Sequence, residues 1–577
     1  MIIGYALTAA YLVLLLALLG SAYLSRREIK SAFKGRINRY SIAVAIVVVV
    51  FFVAISLIYV SPVEQLYFDE NIYQGIALNI LHNGNALWCQ YGGPYSVPCP
   101  VNQIYHDPVE WSFYLAIAFL IFGSGISTAY GLQLFTGALA IVFTFLLGSL
   151  LLGKRGGVAS AVVFGLIPEL FIWSRTQATP DLGLMMFTVL AFLCYMIYER
   201  AKNRYTLVMF LSALGIATYV RIEAILLIPI FIVVYLLGDG KINIAKKIRS
   251  AVYSKLNFTS LVLFAFFLCL VPQIYYIAYE LGNLNYGSGT ICNIPSNHTF
   301  SIANFQCNAP ANIYYFLGQY NSTSFFPAYF SPLTTAIAIM GLIALLAVRR
   351  DNRRKVLLLL GLWILVYHLF YDFFYAGSVT YGVDVRFMLQ IYPALAILGA
   401  AGIEGITDFA QYGAKRMMRA KKKEVLPVFS GAIFVILVGA FAIYPFIAAF
   451  TTLSIAPQSM PQEPGPSTAT NFIYANYNSV PPSCLVFSFT PDIWYELNRS
   501  SAQIGYVGST DPNFTVFASH YSCYVLDYGY WCSVPPYRGS QCKSDISNYN
   551  ISSIVSEPAA SGGSGNLTLY MINNYSN

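Results

Sequence analysis

Apolar residues along this chain come in long unbroken runs, separated by short polar stretches. A helix needs roughly 20 mostly apolar residues to cross a bilayer. Runs of that kind occupy residues 1–24, 41–60, 129–152, 158–174, 182–198, 205–220, 222–237, 258–280, 332–348, 356–375, 387–406 and 427–450. The pattern therefore predicts about twelve transmembrane helices. The first run lacks a basic leading segment and a small-residue cleavage site, so it is expected to be a retained helix rather than a signal peptide. A thirteenth run, Val109 to Phe122, is shorter and is expected to lie flat on the outer leaflet.

Composition agrees with the pattern. Of 577 residues, 57% are hydrophobic and only 10% are charged, against about 25% charged in an average soluble domain. The formal net charge of +8 would suggest an acidic partner if it were spread over the surface, but it is not spread. Basic residues cluster after every odd-numbered run, for example Arg26 to Arg39, Lys154 and Arg155, Arg200 to Arg204, Lys241 to Lys255, Arg349 to Lys355, and Lys415 to Lys423. These loops hold 27 of the 33 Lys and Arg, and under the positive-inside rule they mark the cytoplasmic face. Nucleic acid is thereby excluded as the partner of the charge.

Two markers on the other face agree. Seven Asn-x-Ser/Thr sequons fall on the predicted outer side, at Asn297, Asn321, Asn498, Asn513, Asn550, Asn566 and Asn574; only Asn257 falls inside. Eight cysteines are external, an even number that fits disulfides in an oxidising compartment. Cys89–Cys99 and Cys292–Cys307 are the natural local pairs, while Cys484, Cys523, Cys532 and Cys542 allow three connectivities. The organisation expected is an N-terminal helix and basic loop (1–40), a membrane domain (41–450, with a large outer loop at 61–128), and an outer α/β domain (451–577). The last rests on helical stretches at Thr468–Asn478 and Pro491–Leu497, alternating with strands at Cys484–Phe489, Gln503–Val507 and Cys523–Asp527. Residues 558–566, rich in Gly and Ser, read as loop.

Polar groups near a membrane interior are costly and usually have a task. Three of the six remaining basic residues, Arg175, Arg221 and Arg386, sit at the outer ends of spans. Together they would suit a phosphate, which arginine grips through forked hydrogen bonds; the plainer reading pairs Arg221 with Glu223 and Arg386 with Asp384. Carboxylates gather on the same face: Asp69 and Glu70, Asp107 and Glu110, and Asp181. A partly desolvated carboxylate there can act as a base toward a hydroxyl. His106 stands at a loop-to-helix junction. His368 and Asp372, four apart, share one helix face.

These residues carry a resemblance. Phe68-Asp69-Glu70-Asn71-Ile72-Tyr73 is followed by His106-Asp107-Pro108 leading into an apolar helix, then by Ser174-Arg175 and Thr179-Pro180-Asp181. Thr218 to Glu223, Arg386-Phe387 with Pro393, and the tail from Pro481 to Arg499 follow in order. The order and topology resemble the GT-C membrane glycosyltransferases of the protein O-mannosyltransferase and aminoarabinose-transferase type, with Asp107 standing where that family has the first Pro of His-Pro-Pro. The resemblance implies a polytopic helical fold with a small outer α/β domain. It also implies inverting transfer of a sugar from a polyprenyl-phosphate donor to a hydroxyl of a protein, lipid or glycan on the outer face. In that scheme Asp69 or the adjacent Glu70 is the base, and Asp181 supports the acceptor or the base. Arg386, Arg221 and Arg175 hold the lipid phosphate, and Tyr73, His106, Asp107, His368 and Asp372 border the cavity. A divalent metal, magnesium or manganese, on Asp69 or Asp181 is a further option. The compartment expected is an archaeal or bacterial plasma membrane with the site outside, an endoplasmic-reticulum lumen being the other candidate.

Two other readings compete. Leu526-Asp527-Tyr528-Gly529 is similar to part of the Trp-Trp-Asp-Tyr-Gly motif of oligosaccharyltransferases, though the two Trp are missing and the run also reads as a strand ending in a turn. A lipid or saccharide flippase would be polytopic too, but would tend to show internal repeats and broken spans in matching positions, and no such repeat is visible.

Overall fold

The computed structural model describes residues 2–60, 68–94, 99–100, 102–104, 110–176, 178–237, 258–283, 300–318, 329–347, 351–374, 385–417, 425–453, 466–529, 532, 547–558 and 566–573. Its helices, in chain order, begin with α1 (Ile2–Leu24), α2 (Arg26–Phe33) and α3 (Arg39–Tyr59). The outer loop supplies α4 (Phe68–Asn83) and α5 (Glu110–Phe122). Then come α6 (Ile126–Leu151), α7 (Lys154–Gly165), α8 (Pro168–Thr176), α9 (Pro180–Ala201), α10 (Arg204–Val220) and α11 (Leu227–Leu237). The second half holds α12 (Phe258–Asn283), α13 (Ile302–Phe316), α14 (Pro332–Ala347), α15 (Asp351–Phe373), the short α16 (Val385–Met388), α17 (Tyr392–Met417), α18 (Val425–Val438) and α19 (Tyr444–Leu453).

Among the described residues, eight helices are long and apolar enough to cross a membrane, and the bent pair α7–α8 makes up to nine. The predicted runs 205–220, 222–237 and 332–348 are apolar helices of the shorter class, 10–17 residues. One prediction is corrected: 158–174 is not a straight span but two helices meeting at 58°. Pro168 explains the break. It has no N–H to give and its ring displaces the carbonyl four residues back, so the helix restarts with proline in its first turn. Sequence-local caps set other boundaries. Asn38 and Ser41 form a reciprocal capping box at the start of α3, and the Asn203 side chain accepts from the Tyr205 N–H at the start of α10. Where α14 crosses α17, Gly341 lies against the backbone of Leu398 and Gly402 against that of Ile337, so any side chain there would drive the two helices apart.

Among the described residues, one sheet has six strands: β2 (Tyr91–Gly92), β4 (Cys484–Ser488), β5 (Ser500–Gln503), β6 (Cys523–Tyr528), β7 (Ile551–Pro558) and β8 (Asn566–Ile572), in the order β2-β5-β4-β6-β8-β7. β1 (Trp88–Cys89) pairs separately with β3 (Asn102–Gln103). Central β4 is parallel to both β5 and β6 and is buried along its whole length, as a strand covered on both faces must be. Val486 faces Phe472 of α20 (Pro466–Asn476) and Trp494 of α21 (Pro491–Glu496). Leu485 and Phe487 face Phe514 of α22 (Pro512–Ala518). The strand expected at Gln503–Val507 lies earlier, at 500–503, and a 3-10 turn takes residues 504–506. Strand β2 belongs to the first outer loop yet pairs antiparallel with β5, so loop and tail share one sheet. Two disulfides close within these parts, Cys89–Cys99 as expected and Cys484–Cys523 among the three tail connectivities. Cys307 and Cys532 are disulfide-bonded as well; Cys292 and Cys542 lie outside the described residues.

The sheet is seated on α4 by a buried acid. Asp492, in the first turn of α21, presses its carboxyl against the backbone of Gly75 on α4, where only glycine leaves room. Desolvation, then the nearby Glu496, push the Asp492 carboxyl well above the usual range; desolvation lifts Glu496 to about 7. Both carboxyls hold protons in the folded protein that the unfolded chain releases near pH 4–5. Their contribution to stability is therefore complete at low pH and is lost as pH rises through 7. The thermal midpoint of the outer sheet, followed by near-ultraviolet circular dichroism, should fall between pH 5 and pH 8. In the Asp492→Asn, Glu496→Gln double variant that slope should flatten; an unchanged slope would contradict the assignment.

Candidate active site

Helix α4 begins at Phe68, which puts Asp69 and Glu70 in its first turn, where the helix dipole favours negative charge. The side chains of Asp69 and Glu110 are outside the described residues, as are His106, Asp107 and Asp384 entirely. Glu70 is fully buried and accepts a hydrogen bond from the Tyr130 hydroxyl on α6 at 2.9 Å. Tyr130 is also within electrostatic reach of Arg175. The Nε of Arg175 is buried and makes no hydrogen bond among the described residues.

Asp181 opens α9 behind Pro180 and is 1% exposed. Its Oδ2 accepts from Thr179 at 2.8 Å and its Oδ1 from Arg221 at 2.7 Å. Arg221 turns its other edge to Glu223, with Nε and a terminal nitrogen at 3.2 and 3.0 Å from the two carboxylate oxygens. The local partner considered for Arg221 is thus present, with Asp181 added. With both carboxylates ionised this trio carries a net negative charge. On its far side the guanidinium lies 5.3 Å from the centre of the Phe387 ring, and Arg386 lies 4.9 Å from the same ring. Tyr371 stacks on Phe387 at 4.9 Å, and Tyr73 of α4 is within electrostatic reach of Arg221.

The turn carrying Asp181 is held by its carbonyls. Trp111 of α5 donates to Ala178 at 2.9 Å, Gln133 of α6 to Thr179 at 2.6 Å, and Gln390 to Asp181 at 2.9 Å. Three elements thus fix one short loop. The sequence reading missed all three donors. Gln133 and Gln390 did carry a signal, as amides inside apolar runs, where an unsatisfied polar group is too costly to keep.

His368 and Asp372 do share a face, with Nδ1 3.4 Å from Oδ1. Asn312 of α13 donates to the same Asp372 oxygen at 2.7 Å, and Asn308 to the Asp372 carbonyl at 3.1 Å. The pair is therefore anchored to α13. Among the described residues no group of three His, Cys, Asp or Glu could hold a metal ion, and the oxygens of Asp181 are engaged by Thr179 and Arg221. Asp527 of the Asp-Tyr-Gly run lies in β6 and accepts from Ser488 at 2.7 Å and from the Trp494 indole at 3.1 Å, the bonding of a strand residue tied into its own sheet.

Comparison with known proteins bears on this arrangement. The family of dolichyl-phosphate-mannose-protein mannosyltransferases matches residues 106–276. No curated protein sequence matches. The structure is similar to that of ArnT from Cupriavidus metallidurans bound to undecaprenyl phosphate, with a TM-score of 0.56 and 12% identity, over 94% of this chain and 100% of ArnT. It is similar to the apo state of the same protein at a TM-score of 0.55 and 13% identity, over 92% and 97%. The oligosaccharyltransferase of Archaeoglobus fulgidus in its apo form is more distant, at 0.47 and 13%, over 85% and 70%. The chain has the fold of ArnT, a bundle of membrane helices with a small sheet-containing part near the C-terminus.

Proposed function

We propose that this protein is a glycosyltransferase that moves a sugar, of the hexosyl or mannosyl kind, from a polyprenyl- or dolichyl-phosphate carrier to an acceptor hydroxyl. The acceptor is a protein, lipid or glycan at the outer face of an archaeal or bacterial plasma membrane. The observation that carries this reading is the position of α4. Its first turn bears two acids, and from there Tyr130 leads to Arg175, while Tyr73 leads to Arg221 and its neighbour Arg386. We read these residues as the base and the anion-binding groups of one site. The family match over 106–276 and the undecaprenyl phosphate bound to ArnT support it. We assign residues 41–450 to catalysis and 451–577, together with β2 of the first loop, to the wall above it.

The reaction follows from those groups. The acceptor oxygen attacks the anomeric carbon from the side opposite the phosphate. Asp69 takes the hydroxyl proton, with Glu70 beside it in the same turn. The carbon–oxygen bond to phosphate breaks and its electron pair stays on the phosphate, so the configuration inverts. A phosphate monoester is a good leaving group once its charge is neutralised, and guanidiniums fixed in advance do this without reorganisation. Arg386 and Arg175 hold it. Arg221, spent on Asp181 and Glu223, sets the orientation of Asp181 toward the acceptor.

Arg386→Ala tests the assignment. One charge-assisted contact is worth about 1.5–3 kcal/mol, so the KM for the lipid-linked donor should rise about 10- to 100-fold. The acceptor KM should stay within about twofold. Equal effects on both would remove Arg386 from the phosphate.

A further inference from the structure

Glu169 is an acid inside an apolar run, and nothing in the proposed chemistry uses it. It sits in the first turn of α8, just after the 58° break, and is 1% exposed. A carboxylate buried among membrane helices is costly, so one that is kept there usually serves a purpose. Here the start of α8 supplies a favourable dipole and the residue's own N–H. Two further contacts come from distant segments. The backbone N–H of Tyr329 reaches Oε1 at 2.9 Å, and the Tyr315 hydroxyl of α13 lies within electrostatic reach of the same carboxylate, whose buried Oε2 has no hydrogen-bond partner among the described residues. Tyr315 in turn shares a 2.6 Å hydrogen bond with the Tyr392 hydroxyl.

Tyr392 is the first residue of α17, six residues after Arg386. The stretch between them is already pinned by Gln390, whose side chain donates to the Asp181 carbonyl and whose own carbonyl accepts from Trp363. At the other end, Glu169 and Arg175 are carried by the same short helix, about 9 Å apart along its axis at 1.5 Å per residue. One carboxylate therefore joins the element bearing Arg175 to the segment bearing Arg386, through two tyrosine hydroxyls. We propose that Glu169 is a positioning residue that fixes the separation of Arg175 and Arg386 and so the grip on the donor phosphate. The inference rests on the proposed phosphate role of those two arginines.

Binding of undecaprenyl phosphate to the detergent-solubilised full chain tests it, with undecaprenol as the probe lacking phosphate. Glu169→Ala should weaken undecaprenyl phosphate about 5- to 10-fold and leave undecaprenol unchanged. Glu169→Gln keeps an oxygen for the Tyr329 N–H and should stay within about twofold of the parent. Tyr392→Phe, which removes one hydroxyl and little packing, should weaken phosphate binding about threefold; this variant carries the test if Glu169→Ala does not fold. Arg386→Ala run alongside separates the two claims. Weakened binding in Arg386→Ala with parental binding in Glu169→Ala and Tyr392→Phe overturns the positioning role. Equal losses for undecaprenyl phosphate and undecaprenol also overturn it, since a general packing defect is blind to the phosphate. Parental binding in Arg386→Ala overturns the phosphate reading itself.

Discussion

Asp69→Asn should lower sugar transfer about a thousandfold while leaving binding of the lipid-linked donor within about twofold. The substitution keeps size and helix position and removes only the ability to take a proton. A positioned general base contributes about 10²- to 10⁴-fold, and no other group in the first turn of α4 is arranged to replace it at full strength. Glu70 is buried and its carboxylate already accepts from Tyr130. It steadies the turn and, through Tyr130, faces Arg175. Glu70→Gln can still accept from Tyr130 and should cost about tenfold. Single-turnover transfer with saturating donor separates the two roles, because it is insensitive to product release. The opposite order of severity would give the base to Glu70.

Arg221→Ala should do more damage to the fold than any other single substitution at the site. Its guanidinium is the counter-charge for two buried carboxylates, Asp181 at 2.7 Å and Glu223 at 3.0 Å. Removing one partner of a buried ion pair costs about 3–5 kcal/mol, because the remaining charge is left uncompensated. The thermal midpoint in detergent should drop sharply and transfer should be lost with it. Neutralising the orphaned acids as well, in Arg221→Leu, Asp181→Asn, Glu223→Gln, should recover much of the midpoint and none of the transfer. That dissociation is the signature of a stabilising pair that also orients Asp181. A triple variant no more stable than Arg221→Ala would show that the pair is not what the fold depends on.

The membrane part of the fold is legible in the sequence because a bilayer punishes a polar residue wherever it faces lipid. Every predicted apolar run is helical, 158–174 as a bent pair and three others as shorter apolar helices. What escapes are effects that hydropathy does not register. The run 158–174 is apolar apart from Ser160, Glu169 and Ser174, yet Pro168 breaks it. In the tail, the apolar stretch Ile504 to Val507 looks like a strand and is a 3-10 turn. The true strand, Ser500–Gln503, is polar because its serines are satisfied internally: Ser501 Oγ donates to the Pro491 carbonyl at 2.8 Å, and the Ser501 carbonyl accepts from Tyr495. Strand β7 at the sheet edge exposes its residues in consecutive groups and is interrupted by a bulge between Ser553 and Val555, so no period-two hydrophobic pattern marks it.

The candidate site divides the same way. That arginines and acids at the outer ends of spans matter follows from the cost of placing them there. Who partners whom does not. Asp181 and Arg221 are 40 residues apart and meet because α9 and α10 pack side by side, so that the beginning of one lies at the end of the other. The Phe387 ring between Arg221 and Arg386 is an ordinary phenylalanine in the sequence and becomes a spacer only when α16 is set against the end of α10. Tyr91 and Gly92 likewise look like loop, and their strand partners lie some four hundred residues away.

The most direct test of the central claim uses the purified protein in liposomes, with dolichyl-phosphate-linked mannose labelled in the sugar and membranes of the source cell as acceptor. The account predicts that label moves to the acceptor with inverted anomeric configuration. Dolichyl phosphate should be released in equal amount, and both should vanish in Asp69→Asn. Labelled lipid that crosses the bilayer intact, with no dolichyl phosphate released, would contradict it.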